Sequence, residues 1–304
     1  MDGARRACAA LALTFAPFAA EAAVAQAPPR CASAVVRYVP GEGGLPSQPT
    51  SALGPPTQFT GAGVFPSCVT PFNPPFMPSE LVSVGRGGEL VVSFDAPVTD
   101  DPRNPFGIDL LVFGNSFCID AAYPEGIVGG TFNDGGSVDV SADGVTWFTI
   151  PATEADGGLP TLGYSDIGPY DLVPGSMPTD PARPVDPLIA TGDLDGLTWP
   201  ELLEVYDGTA GGTRIDLADA GIASIRFVRI RVAADAPSVP EIDAIVAVRP
   251  GPGPADLNGD GAVNGDDLGI MLGAWGPCVG CAADLDQNGT VDGDDLGSLL
   301  GSWT

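Results

Sequence analysis

Residues 137–150 read SVDVSADGVTWFTI, and this stretch decides the fold class. Val138 and Val140 alternate with polar neighbours, which is the pattern of a strand with one buried face. Residues 142–144 (Ala-Asp-Gly) supply a turn, and residues 147–150 return as a second strand. The stretch therefore predicts a β-hairpin.

Similar strand signals occur on both sides of this hairpin. They are short apolar runs rich in β-branched and aromatic residues, bounded by Gly, Pro and Asp, which favours antiparallel sheets over alternating strands and helices. The runs are GELVVSFDAPV (88–98), GIDLLVFGNSF (107–117), ASIRFVRIRVA (223–233) and EIDAIVAV (241–248). The sequence predicts a mostly β protein in which residues 26–248 form an antiparallel β-sandwich.

A long segment of irregular composition, about residues 151–221, interrupts the strand pattern. It contains one helix signal, WPELLEVY, with Thr198 as its N-cap, Glu201 three residues later and Gly208 at its end. A connection of this length within a compact domain is usually a functional loop or a covering lobe. We therefore expect an irregular insert with a single helix.

Both ends of the large domain are marked by composition. Arg5 and Arg6 precede an apolar run and an Ala-Val-Ala pattern, so residues 1–25 predict an export signal cleaved near Ala25. No later apolar stretch has the length of a membrane span. Residues 249–255, RPGPGPA, predict a linker stiffened by proline. The expected localisation is secreted, extracellular or at the cell surface.

Charge and missing residue types narrow the possible functions. The chain has 39 Asp and Glu against 12 Lys and Arg, a net charge of -27, which argues against nucleic acid or an anionic membrane as partner. All the basic residues are Arg, and there is no His. Ser-His-Asp and Cys-His catalysis, Schiff-base lysine chemistry and imidazole metal ligands are therefore excluded.

Five cysteines follow the predicted export signal: Cys31, Cys68, Cys118, Cys278 and Cys281. In an oxidising compartment they are expected to form disulfides rather than to act in catalysis. The Cys-x-x-Cys at 278–281 lies among glycines and predicts a local disulfide. Of the other three cysteines we expect one pair and one free thiol, and the sequence leaves the pairing open.

The tail of the chain repeats one acidic sequence. DLNGDGAVNGDDLG begins at Asp256, and DLDQNGTVDGDDLG begins 28 residues later at Asp284. A 12-residue calcium loop supplies oxygen ligands from positions 1, 3, 5, 7, 9 and 12 and turns sharply at a glycine in position 6. Gly261 and Gly289 occupy that position, so we predict two calcium ions. The predicted ligands are Asp256, Asn258, Asp260, Ala262 (carbonyl), Asn264 and Asp267 in the first loop, and Asp284, Asp286, Asn288, Thr290 (carbonyl), Asp292 and Asp295 in the second.

Residues 256–304 resemble a type I dockerin-like module, in which each calcium loop is followed by one helix. Asp in position 12 of both loops fits that family. The resemblance implies a small α-helical domain that attaches a secreted protein to a cohesin-like partner, often in polysaccharide-degrading assemblies. The stretches after the loops depart from the family, because they contain no Lys or Arg and carry glycines, including Gly269 and Gly297. We expect calcium binding and folding of this module to be coupled.

The large domain has a shorter resemblance to galactose-binding-like jelly rolls, carried by SVDVSADGVTWFTI, IRFVRIRV and EIDAIVAV. It implies a jelly-roll-like sandwich with an irregular lobe, whose loops hold carbohydrate or calcium. Fold alone does not determine function.

Several single residues carry expectations of their own. Asp109 and Asp243 are expected on the polar faces of strands, with a role as structural calcium ligands as the alternative. Arg226, Arg229 and Arg231 are expected to pair with Asp side chains rather than to bind an acidic ligand. Trp275 and Trp303 are expected to close the core of the tail, with partner binding as the alternative.

These features favour a secreted or cell-surface, non-enzymatic binding or structural protein that attaches through its calcium-binding tail. The alternative is an extracellular glycoside hydrolase or lyase, because that chemistry needs two carboxylates and no His. No pair of acids stands out from the others. The candidates are Asp109, Glu125, Asp193, Asp195 and Glu241.

Overall fold

The structure is a computed structural model that describes residues 28–251, 253–259 and 261–303. The predicted export signal lies outside the described residues, as does Asp260 in the first predicted calcium loop. None of the helices in the described part of the chain has the length and apolar content that a membrane span requires.

Strands make up most of the regular structure. In chain order they are β1 (Arg30–Cys31), β2 (Ala34–Val39), β3 (Phe59–Thr60), β4 (Ser67–Cys68), β5 (Val82–Ser83), β6 (Glu89–Thr99), β7 (Leu110–Gly114), β8 (Phe117–Asp120), β9 (Val128–Phe132), β10 (Gly135–Ser141), β11 (Phe148–Asp156), β12 (Thr213–Ile215), β13 (Ser224–Arg231), β14 (Glu241–Ala247), β15 (Gly276–Pro277) and β16 (Thr290–Val291). The α-helices are α1 (Trp199–Tyr206), α2 (Gly265–Gly273) and α3 (Gly293–Gly301), and short 3-10 helices span Pro49–Ala52, Pro105–Gly107, Thr191–Leu194 and Leu217–Ala220.

Two five-stranded sheets dominate the large domain. The first has the order β1-β14-β7-β12, with β5 also paired to β14, and the second has the order β11-β10-β13-β6-β2. All of these strand pairs are antiparallel. Leu110 and Ile245 from the first sheet share one core with Leu90, Val140 and Val228 from the second. The predicted mostly β, antiparallel fold is confirmed.

The first sheet is covered on both faces, which explains its continuous apolar sequences. In β7, Leu110 and Val112 face the core between the sheets, whereas Leu111 and Phe113 pack in a second cluster on the opposite side. Every residue of β7 is buried. A strand that is buried on both faces loses the alternation of apolar and polar residues, and LLVFG has none.

The predicted irregular segment packs against this structure with a core of its own. Leu159, Leu162, Leu202 and Tyr206 are almost fully buried there, together with Cys118 on β8. The segment contains α1 as its only α-helix, and the predicted cap is present: the Glu201 carboxylate accepts hydrogen bonds from the Thr198 amide at 2.9 Å and hydroxyl at 2.7 Å. The segment is therefore a covering lobe, and its last residues, β12, join the first sheet.

The predicted hairpin forms from β10 and β11. At its centre, Asp139 is fully buried and accepts hydrogen bonds from Arg229 Nε at 2.9 Å, Arg231 Nη2 at 2.9 Å and Thr149 Oγ1 at 2.6 Å. Burial opposes ionisation of Asp139, but these donors outweigh it and hold its pKa below the ordinary value. The expected pairing with aspartate side chains is confirmed for Arg229 and Arg231, but it is wrong for Arg226, which donates to the backbone carbonyl of Asp95.

The tail forms a small helical unit around α2 and α3. Its core contains Val263 and Val291, which follow the two loop glycines by two residues, together with Met271 and Leu299 from the helices. A disulfide joins Cys278 to Cys281, as predicted. The linker that precedes this unit is hydrogen-bonded to the large domain, because the Arg249 amide donates to Ala182 O at 2.9 Å and the Gly251 amide to Arg103 O at 2.8 Å.

The prediction of a disulfide among Cys31, Cys68 and Cys118 is wrong, since all three thiols are free. Each behaves as a small apolar side chain within a packed cluster. Burial raises the pKa of Cys31 and of Cys118 to about 11, and Cys68 Sγ donates to Val173 O at 3.1 Å. The number of cysteines suggested a disulfide, but the fold does not bond any two of these three thiols to each other.

Two further expectations are also wrong. Trp275 and Trp303 do not close the core of the tail, because they follow the ends of α2 and α3 and remain 50% and 47% exposed. Asp109 and Asp243 do not lie on exposed strand faces, since both are buried. The Asp243 carboxylate instead accepts hydrogen bonds from the Thr57 amide at 2.7 Å and hydroxyl at 2.8 Å.

Candidate metal centres

The two predicted calcium loops have closely matching geometry. In each, the position-1 aspartate is nearly buried, and its carboxylate accepts backbone amides from the turn that follows it. Asp256 accepts from Gly259 N and Gly261 N, both at 2.8 Å. Asp284 accepts from Asn288 N at 3.0 Å and Gly289 N at 2.8 Å. The loop therefore curls around its first carboxylate.

The glycine in position 6 is required by the backbone. Gly261 has φ of 87° and Gly289 has φ of 92°, values that L-residues with a side chain rarely adopt. This turn redirects the chain so that the following valine enters the core of the tail. The sequence signal for the loop is thus a conformational requirement as well as a ligand pattern.

The position-12 aspartates close the two loops. Asp267 Oδ1 accepts from Leu257 N at 2.8 Å, and its Oδ2 accepts from Asn264 N at 2.9 Å. Asp295 Oδ1 accepts from Leu285 N at 2.7 Å, and its Oδ2 accepts from Asp292 N at 2.8 Å.

Both position-12 side chains are fully buried, although each lies in the first turn of a helix. The Asp292 amide first, and then the amides of Asp286 and Leu285, lower the pKa of Asp295. Its carboxylate is thus held in the ionised form that binds a cation.

The remaining predicted ligands surround these carboxylates. Asn264 and Asp292 cap α2 and α3, each accepting a hydrogen bond at 2.9 Å from the amide two residues later. In the second loop, Asp286 accepts from the Asn288 amide at 3.0 Å, and Asn288 Oδ1 accepts from Thr290 N at 2.9 Å. Asn258 and Ala262 also lie within the first loop.

The second loop brings together oxygen atoms that could hold a metal ion. Carboxylate oxygens of Asp284, Asp286 and Asp295 all lie within 4.8 Å of one another. Oxygen ligands of one calcium ion, at 2.3–2.6 Å from it, are at most about 5 Å apart. An ionised carboxylate oxygen accepts at more than one position, so the amide bonds leave room for a cation. The donor set fits a hard cation such as calcium, and the identity of the ion remains a prediction.

Two further groups of acids lie in the large domain. One joins Asp134, Asp156 and Glu241, and the other joins Asp100, Asp109 and Asp216. In the first group Asp156 is almost fully buried, and burial raises its pKa to about 7. Its oxygens accept the Ser116 amide at 3.0 Å and the Glu241 amide at 3.3 Å. A carboxyl this deeply enclosed cannot contact a polymeric substrate.

The five candidate catalytic acids are distributed over different parts of the large domain. Asp109 and Glu241 belong to different acidic groups, and Glu125, Asp193 and Asp195 are exposed and belong to neither. Asp193 serves the backbone instead, because its carboxylate accepts from Ala190 N at 2.8 Å. None of the close groups of acids in the described part of the chain contains two of these five candidates.

Sequence reasoning missed the partners of Asp109. Asp100 and Asp216 lie in loops with no repeated pattern, and the chain brings them to Asp109 only through the packing of two sheets. The sequence signal that could have indicated this group is the position of each acid, directly after or directly before a strand.

The chain is assigned to no class by comparison: no family model matches it, and no curated protein is significantly similar to it. Its function must therefore be inferred from its own residues.

Proposed function

We propose that this chain is a secreted or cell-surface, non-enzymatic binding or structural protein that attaches to a protein partner through a calcium-dependent, dockerin-like tail. The large domain is a jelly-roll-like sandwich in this proposal. The observation that carries the proposal is the repeated geometry of the two loops, each with two enclosed carboxylates and a left-handed glycine at equivalent positions.

Calcium would hold each loop against its helix. Without a cation, the four predicted ligand carboxylates of the second loop repel one another, which opposes the closed form. The tail has only a small apolar core to offset that repulsion. Binding of calcium and folding of the tail are coupled for this reason.

An apolar surface on the tail supports the attachment role. Leu272 and Leu300, at equivalent places on α2 and α3, are 53% and 51% exposed, and Trp275 and Trp303 follow them. Exposed Leu and Trp side chains at matching positions are typical anchors of a protein interface. A cohesin-like protein is the partner that the resemblance favours.

The first experiment measures calcium binding of the second loop. Asp286→Ala removes a carboxylate from the group of three, so we expect its calcium affinity to fall about tenfold or more. The matched control is Asp294→Ala, which removes an exposed carboxylate from the first turn of α3, outside that group. Calorimetric titration should show a loss for Asp286→Ala alone. Equal affinities in the two variants would contradict the assignment of the site.

The second experiment tests attachment. Immobilised cohesin modules should capture the wild-type chain in millimolar calcium and release it in chelator. A Leu272→Ser/Leu300→Ser variant should bind calcium as before and lose most of its capture. Capture that ignores both calcium and these leucines would contradict attachment through the tail.

A carbohydrate ligand of the large domain is a further part of the proposal. Its support is a set of exposed aromatic rings on the β8–β9 pair and its turn. Phe132 is 48% exposed and stacks on Phe117 at 5.4 Å between ring centroids, and Tyr123 is 75% exposed and contacts Tyr170 edge-on at 5.0 Å. Exposed rings are suitable surfaces for sugar faces. Retardation of the protein in polysaccharide-containing gels, abolished by Tyr123→Ala, would support this part, and unchanged migration in every polysaccharide would count against it.

A further inference from the structure

A group of oxygen atoms in the large domain joins the two connections that cross between its sheets. Asp100 follows β6 and Asp109 precedes β7, so both lie on the first connection, whereas Asp216 lies on the second, between β12 and β13. Carboxylate oxygens of the three lie within 4.8 Å of one another. Asp109 is fully buried, Asp216 is partly buried and Asp100 is exposed, so the group extends from the protein interior to the surface.

An enclosed amide lies against the buried carboxylate of this group. Asn104 is only 5% exposed, and its Nδ2 donates to Asp109 Oδ1 at 2.6 Å. Its Oδ1 is buried and has no hydrogen-bond partner. A buried amide oxygen without a partner is costly, and a cation is one of the few groups that would satisfy it beside three carboxylates.

In the part of the chain that the structure describes, no arginine forms an ion pair with these three aspartates. The nearest arginine in sequence, Arg103, is engaged with Asp101, to which it donates from Nε at 3.1 Å and from Nη2 at 2.7 Å. Besides the Asn104 amide, Asp109 accepts hydrogen bonds from two backbone amides, Leu217 N at 2.8 Å and Asp101 N at 3.3 Å. These donors are all uncharged.

We propose that Asp100, Asp109, Asp216 and Asn104 form a third calcium site, which ties the β6–β7 connection to the β12–β13 connection at one end of the sandwich. The ligands are all hard oxygen atoms, which favours a hard cation such as calcium over zinc or copper. The spacing of the three carboxylates fits one ion at 2.3–2.6 Å from an oxygen of each. Calcium at this place links the two sheets and stabilises the large domain independently of the tail.

The test counts calcium ions on the full exported chain by equilibrium dialysis at about 1 mM free calcium, a concentration suited to extracellular sites. The variant is Asp100→Asn/Asp216→Asn, and the control is Asp219→Asn, an exposed acid on the neighbouring 3-10 helix outside the group. We expect the variant to bind one ion fewer than the wild type and the control to bind the same number. Calcium should also raise the melting temperature of the large domain in the wild type and the control, and less in the variant.

Equal ion counts in the wild type and the variant would overturn the third site. If circular dichroism shows that the double variant is unfolded, Asp100→Asn alone decides the question, because Asp100 is exposed and its replacement leaves the buried contacts in place. One class of sites should then weaken about tenfold or more, and unchanged affinities would overturn the proposal. Failure of the tail loops to bind would lower the counts of wild type and variants equally, so the two proposals fail separately.

Discussion

Asp139 shows how a buried charge is accommodated in a chain whose only basic side chain is arginine. Two guanidinium groups and a threonine hydroxyl enclose its carboxylate, and Arg229 also stacks on Trp147 at 4.2 Å from the ring centroid. The three strands β10, β11 and β13 are linked through this one side chain.

We predict that Asp139→Asn destabilises the protein by about 3 kcal/mol, because removing one partner leaves the others without compensation in a buried place. The control is Arg37→Gln, which breaks the exposed pair of Arg37 with Glu89 at 3.2 Å and should cost less than about 1 kcal/mol. Urea unfolding of both variants gives the comparison. Similar losses would show that the network contributes no more than a surface pair.

Asp243 differs from Asp139, because it is buried and its hydrogen-bond donors come from Thr57 rather than from an arginine. Burial raises its pKa from 3.8 to about 7, and the charge of Glu80 adds to the shift, while hydrogen bonds from Thr57 oppose it. A carboxyl with a raised pKa in the folded state contributes stability that is fully present below its unfolded pKa and is lost as the pH rises through the folded pKa. The relevant window is therefore about pH 4 to 7.

We predict that Asp243→Asn changes stability little at pH 4 and increases it at pH 8. Asparagine stays neutral and retains both bonds to Thr57, since its oxygen accepts from the amide and its nitrogen donates to the hydroxyl. The gain at pH 8 is at most about 4 kcal/mol, as one pKa unit corresponds to about 1.4 kcal/mol. Urea unfolding in chelator, followed by the fluorescence of buried Trp199, measures it. A gain that does not depend on pH would contradict the assignment.

At the scale of elements, glycine has two different effects in the tail. Gly297 lies inside α3 with open space where a Cβ would be, whereas Gly289 turns the loop at φ of 92°. We predict that Gly297→Ala stabilises the calcium-bound tail by about 1 kcal/mol and that Gly289→Ala destabilises it by 1–2 kcal/mol, about the cost of left-handed backbone. Urea unfolding followed by circular dichroism gives both values. The same sign for both substitutions would contradict this account of the repeat.

Elements whose signals are local were predictable from the sequence. The β10–β11 hairpin follows from alternation and a turn at 142–144, α1 follows from its capping residues, and the Cys278–Cys281 disulfide follows from spacing. The burial of β7 on both faces was less accessible, because a five-residue apolar run does not reveal which structure covers its second face.

Features that depend on distant contacts were missed or predicted wrongly. Asp109 and the Leu217 amide that it accepts are 108 residues apart in sequence, and only the packing of the sheets brings them together. The same limitation applies to Cys31, Cys68 and Cys118, whose number suggested a pair that the fold does not form. The exposure of Trp275 and Trp303 depends on where α2 and α3 end, which helix-weakening glycines obscured.

At the scale of the whole molecule, calcium has a different proposed role in each part. The large domain has a core shared by two sheets, so we propose that a cation there only links its connections. The tail has a small core and acidic loops, so we propose that its fold depends on the cation. The net charge of -27 would strengthen both effects, because the acidic side chains repel one another when no cation is bound.

The central claim, that the tail is folded by calcium, is tested most directly by calorimetric titration of calcium into residues 250–304, with circular dichroism recorded alongside. We predict two bound ions and a gain of helical signal on binding, reversed by chelator. Absence of binding at millimolar calcium, or binding without any gain of helix, would contradict the claim and the proposed mode of attachment with it.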